Sequence, residues 1–297
     1  MPPGSAEDGV SPAGAALRGR DVASRPCTLR PKTAGSLLAA FILLMACGLV
    51  GWSAYTRTGN YLGTLKPDKA VVLVDFPGIA GIAYWPERGT LLGVAGNGEV
   101  AELDLNGRVL RKRTHGQRTF AAIALLAEPG LALVLDARSR RLVRLRLADF
   151  AIDSEREMPG GTGPTRNGNP RVLGLALAGS PPSLVLSSEF PPAVTRFDAA
   201  RGTPQHSVLL GARSVSGVMA GPNGELLMVS RENGLLMIDA NGHTLGGWWR
   251  PVEFDHIEGA ALVPGVGLVL CVDRDPGVLL VFSSIRDWEG LRRAFAA

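Results

Sequence analysis

Cysteine, histidine and aromatic residues are scarce in this chain. Its three cysteines, Cys27, Cys47 and Cys271, stand far apart and form no C-x-x-C pair, so neither a disulfide framework nor a zinc knuckle is expected. Cys271 sits in an apolar run and reads as a small buried strand residue. The four histidines, His115, His206, His243 and His256, have no metal-ligand spacing and read as exposed loop residues, with Asp255 and His256 a remote acid–base pair. There is no G-x-S-x-G elbow, no phosphate-binding loop and no dinucleotide fingerprint, which removes the commonest signatures of catalysis. The net charge of +4 is modest and no basic patch is interleaved with aromatics, so no nucleic acid partner is expected.

What the chain does have is Gly and Pro, 38 and 21 of them, which favours many tight turns over a helical bundle. Residues 1–35 are rich in Ala, Gly, Pro, Ser and Arg without apolar periodicity, and read as a disordered, basic cytoplasmic tail. Residues 36–55 follow, carrying no charge over a length that spans hydrocarbon, with Trp52 and Tyr55 where an interfacial belt would lie. Basic residues crowd the N-terminal flank, so the expected topology is a single pass through the cell (inner) membrane with the remainder outside the cytoplasm. A cleaved signal peptide and lipoprotein processing at Cys47 are the alternatives. Residues 56–69 read as a polar linker and 70–297 as the folded domain.

That domain repeats itself. Short apolar runs bounded by Pro, Gly and Asp recur in sets, beginning at Gly81, Ala122, Gly174, Gly217 and Gly259, with spacings of 41, 52, 43 and 42 residues. A unit of about 40 to 45 residues holding four short strands is the signature of a β-propeller blade. The fold class is therefore all-β, a propeller of five blades with six the alternative. Asp104, Asn106 and Gly107 match Asp239, Asn241 and Gly242 in another repeat, and both sets predict a tight hairpin. The outer strands should then follow at 109–113 and 244–249. The fifth repeat has only three strands, so residues 71–76 are expected to supply its fourth and close the ring. From Ser284 the pattern turns helical: Ile285, Trp288, Leu291 and Phe295 lie at helical spacing, and Ser284 with Asp287 resembles a capping box.

In a meander, the start of each first strand and the end of each second strand share one face. That places Glu258, Ser216, Asp273, Glu232, Glu189 and Asp136 around one mouth of the channel, with Arg138, Arg231 and Arg274 among them. These six residues are the candidate binding set; no catalytic residue and no metal ligand is assigned.

The phrases IAGIAY at 79–84, SVSG at 214–217, VSRE at 229–232 and IEGA at 257–260 resemble those of the SdiA-regulated, YjiK-like, family over roughly residues 70–283. Lactonase, strictosidine-synthase and NHL propellers share similar phrases. The resemblance implies a membrane-anchored propeller outside the cytoplasm whose acidic residues near the channel hold a cation. Two of the family's Glu-Gly positions read Ala121-Ala122 and Leu173-Gly174 here, leaving Glu258 and Ser216. Calcium wants six to eight oxygens, so at most weak calcium binding is expected. The expected function is a non-catalytic module that binds a protein, an envelope polymer or a small ligand. A metal-dependent lactonase or phosphoesterase-like hydrolase is the alternative.

Overall fold

The computed structural model describes residues 61–159, 171–211, 214–232, 234–246, 248–251 and 256–296. The expected tail and span at 1–55, Cys27, Cys47, Asp255 and most of the Gly- and Pro-rich stretch at 159–170, which lengthens the second repeat, lie outside them. Among the described residues no helix is long and apolar enough to cross a membrane.

Among the described residues twenty-one strands form five sheets arranged as propeller blades. Blade one comprises β3 (Ile79–Trp85), β4 (Thr90–Ala95), β5 (Glu99–Leu103) and β6 (Val109–Thr114). Blade two comprises β7 (Phe120–Leu125), β8 (Leu131–Asp136), β9 (Arg141–Arg146) and β10 (Ile152–Glu157). Blade three holds β11 (Arg171–Ala178), β12 (Ser183–Phe190), β13 (Ala193–Asp198) and β14 (Pro204–Leu209). Blade four holds β15 (Gly217–Ala220), β16 (Leu226–Ser230), β17 (Gly234–Ile238) and β18 (Trp248–Pro251). Blade five is β19 (Ile257–Val263), β20 (Gly267–Val272) and β21 (Gly277–Phe282), completed by β2 (Lys69–Leu73). β2 runs antiparallel to β21, so the ring closes on the expected segment, beginning two residues earlier.

The reason for these elements is burial on both sides. β4, β8, β20 and β21 are buried throughout, because each middle strand lies between two blades. Five apolar clusters result, such as the one joining Leu92 and Val94 of blade one to Val134 and Leu145 of blade two. The outer strands β6 and β10 are mostly exposed and carry the charge, which blunts them as free edges. Their hairpins are set by aspartates: Asp104 Oδ1 accepts from Asn106 N and Arg108 N at 2.9 Å, and Asp239 Oδ1 from Asn241 N and His243 N at 2.8 Å.

The blades are also clasped from outside. Arg111 donates to the carbonyls of Leu147 and Ala148, Arg156 to that of Ala199, His206 Nε2 meets the Asn241 carbonyl, and Lys69 reaches Asn106 Oδ1. Each joins one blade to a hairpin of the next, at four of the five seams.

Three expectations need correction. Residues 61–65, placed in the linker, form β1 (Tyr61–Leu65), which adds to blade four as a fifth strand parallel to β18. The outer strand of blade four starts at Trp248, since Thr244 makes only an isolated bridge to Ile238 before Gly246, at φ 149°, breaks the strand. The helix α1 (Trp288–Ala296) is capped by Asp287, whose Oδ1 accepts from Gly290 N at 2.6 Å; Ser284 is not the cap. Ile285, Leu291 and Phe295 are buried against blades four and five as their spacing required.

Candidate functional site

The channel mouth is built by one repeated device. At the start of β3, β7, β11 and β19 the pairing slips, leaving Ala80, Ala121, Leu173 and Glu258 as extra residues. In blade four Ser216 N bonds to the Val229 carbonyl although Val229 already faces Gly217. Such bulges turn a side chain out of the regular alternation.

The next residue in each case is small: Gly81, Ala122, Gly174, Gly217 or Gly259. A β-carbon on Gly81 would lie 2.9 Å from Ala122 Cα, one on Gly174 3.0 Å from Gly217 Cα, and one on Gly259 3.3 Å from Gly81 Cα. One on Gly217 would collide with the Glu258 carbonyl oxygen. The glycine of the recurring phrase lets the inner strands approach; the residue before it is left to differ.

Glu258 is 4% exposed and meets Arg231 side-on: Nε lies 2.5 Å from Oε1, and Nη2 donates to Oε2 at 3.0 Å. Arg231 extends a third nitrogen to within 3.6 Å of Glu189 Oε1. One guanidinium from blade four thus gathers carboxylates of blades three and five. Burial pushes the Glu258 carboxyl up to about 7, against the pull of Arg231 and helped by the charges of Asp273 and Glu189.

The other candidates divide. Asp273 is exposed at the end of β20 and acts on Glu258 through its charge. Glu232 is exposed beside Arg231. The Ser216 hydroxyl is 1% exposed and bonds to the Ile257 carbonyl at 2.6 Å, tying blade four to blade five. Asp136 is 2% exposed and belongs to another group. Its oxygens accept from the amides of Thr119, Arg138 and Ser139, from the Ser139 hydroxyl at 2.7 Å, and from Arg118. Among the described residues no three His, Cys, Asp or Glu side chains converge as metal ligands.

Sequence reasoning named the carboxylates but not Arg231 as their hub, nor Arg118 and Glu155 as neighbours of Asp136. A charge at a strand end looks the same whether it faces water or another blade. His115 is also half-buried, edge-on to Phe120 at 5.6 Å, rather than exposed. His206 is exposed but on β14, not in a loop.

The opposite end of the channel differs in kind. Ile82, Ile123, Leu175, Val218, Ala260 and Trp288 line a space of about 270 Å³ there. Trp288, at the start of α1, lies close against Gly221. Among the described residues no Asp, Glu, Lys, Arg or His belongs to that lining, which includes the Tyr84 ring, so the charged groups of the channel are concentrated at the Glu258 end.

The fold is similar to the crystal structure of Myxococcus xanthus glutaminyl cyclase, at a TM-score of 0.55 and 14% identity, over 74% of this chain and 99% of that one. Structures of U3-55K and of the RRP9 WD40 repeats align at a TM-score of 0.45, with 13% and 12% identity over 70% and 72% of this chain. The chain spans 63% and 62% of their length. No protein-family model matches the chain, and no curated protein is similar to it in sequence. At 14% identity the likeness to the cyclase carries the fold and no activity.

Proposed function

We propose that this is a membrane-tethered, non-catalytic propeller of the SdiA-regulated type, held outside the cytoplasm, which binds a cationic group at the channel mouth. The observation that carries the reading is the charge balance around Arg231. One guanidinium faces three carboxylates, Glu258, Glu189 and Asp273, so these four side chains carry excess negative charge when Glu258 is ionised. An ammonium or guanidinium of a small ligand, an envelope polymer or a partner protein would balance it. The tether rests on the uncharged run at 36–55 and its basic flank.

The test is calorimetric titration of the full chain in detergent with spermidine and with a lysine-rich peptide. Binding should occur near pH 8, where Glu258 is charged, and weaken by about tenfold once it is protonated. Glu258→Gln should bind weakly at both pH values. Absence of binding by either probe would refute the reading. Chelator-sensitive hydrolysis of a lactone or phosphoester panel would instead favour a metal-dependent hydrolase. A reporter active only outside the cytoplasm, fused after Ala297, tests the orientation, and its silence would overturn it.

A further inference from the structure

On the same face as the mouth, between blades one and two, lies an open cleft of about 600 Å³. His115, Gln117 and Arg118 of the link between β6 and β7, Arg138 of the turn between β8 and β9, Arg141 at the start of β9, and Glu155 of β10 line it. Its volume falls within the usual range for small-molecule sites.

The hydrogen-bonding groups of this cleft are unevenly used. Both oxygens of Asp136 are engaged, by the amides of Thr119, Arg138 and Ser139, the Ser139 hydroxyl and Arg118. Both oxygens of Glu155 are engaged as well, by Arg118 and by Arg141 at 3.2 Å. The donors are not exhausted. A guanidinium carries five N–H groups. Arg138 gives one to the Gln117 carbonyl at 3.3 Å, and Arg141 gives one to Glu155. Among the described residues the buried His115 Nε2 has no hydrogen-bond partner. Three guanidinium groups face two carboxylates, so the lining is also positive.

The turn that presents the arginines is strained. Arg140 adopts φ 55°, where blade one has Gly98 at φ 82° just before its third strand. A side chain there costs conformational energy that glycine would not, and such outliers gather where geometry serves binding. The Arg140 carbonyl accepts from Met158 N at 3.0 Å, which fixes the turn against the end of β10.

We propose that this cleft binds a small oxyanion, a carboxylate or phosphate, on the free donors of Arg138 and Arg141 beside His115. Planar guanidinium forks match both groups. Burial and the charges of Arg113 and Arg118 hold the His115 imidazole below its usual range, which a bound anion would counter. The site lies apart from the Arg231 cluster and rests on none of the reading given for it.

The full chain in detergent is titrated with inorganic phosphate and, separately, succinate by calorimetry, while the His115 ring signal is followed by NMR. Wild type is compared with Arg138→Gln/Arg141→Gln and with Arg108→Gln, which removes an exposed cation from the blade-one hairpin. The expected result is saturable binding of at least one anion, at least tenfold weaker in the double variant and unchanged in Arg108→Gln, with a shift of the His115 signal on binding. Should the double variant fail to melt cooperatively, Arg138→Gln alone takes its place with the same criterion. Binding of neither anion, equal affinity in wild type and variant, or binding that leaves His115 unmoved would overturn the proposal.

Discussion

Asp136 and Glu258 are two buried carboxylates on one face of the propeller, each facing an arginine, and they are held in opposite ways. Asp136 is fixed by backbone: the amides of Arg138 and Ser139 and the Ser139 hydroxyl of its own turn bind it, with the Thr119 amide from the link before β7, and Arg118 is an addition. Glu258 is fixed from another blade by Arg231, with Glu189 and Asp273 opposing its ionisation. The lesson is that burial alone does not mark a working group. A carboxylate satisfied by its own backbone holds a turn in place. One that depends on a single side chain, in a cluster short of positive charge, has affinity left for something else.

The largest effect that separates the two comes from removing the arginines. Arg231→Met leaves Glu258 buried and unpaired, and should cost about 3–5 kcal/mol near pH 8 in denaturant unfolding. Arg118→Met should cost about 1 kcal/mol, because Asp136 keeps its amides. Equal losses would erase the distinction. Asp136→Ala comes next: several charge-assisted bonds vanish and the turn loses its anchor, at about 2–3 kcal/mol by the same measurement. Gly217→Ala tests the small-residue ring beneath Glu258. The added methyl meets the Glu258 carbonyl, and the midpoint should fall by about 1–3 kcal/mol of overpacking. The smallest effect is a gain. Arg140→Gly relieves a left-handed backbone and should stabilise by up to about 1 kcal/mol. A loss there would mean that the Arg140 side chain contributes more to the turn than its backbone costs.

Much of the scaffold was legible in the sequence because it is periodic. Five repeat starts, three of their four spacings between 41 and 43 residues, give five blades, and Asp104 with Gly107 gives a hairpin whose outer strand is observed at Val109–Thr114. The missing fourth strand of the last repeat pointed to residue 71 and its neighbours, and β2 is there. What was not legible depends on distant partners. β1 pairs with a strand about 190 residues away, and nothing local in its five residues marks a parallel addition. Arg231 becomes a hub only once the ring brings blades three, four and five together. Ser216 and Glu258 looked alike as residues preceding glycine, yet one hydroxyl is spent on the Ile257 carbonyl and the other group is a titratable acid. The clasps from Arg111 and Arg156 were hidden for the same reason: a charge on an outer strand carries no sign of the carbonyl it reaches.

The central claim is that Glu258 is a buried acid poised near neutrality. Its folded value, about 7, lies above its unfolded value, so the folded state binds the extra proton between roughly pH 4.5 and 7. Stability from this group is therefore greatest at the acid end and falls as pH rises across that window, reaching its floor above about pH 7. The direct measurement is the unfolding free energy of wild type and Glu258→Gln across pH 4.5 to 8. The difference between the two curves should change by about 2–3 kcal/mol over the window, wild type losing stability relative to the variant as pH rises. Parallel curves would show that Glu258 is an ordinary ionised carboxylate locked to Arg231, and would contradict its reading as an acid poised near neutrality.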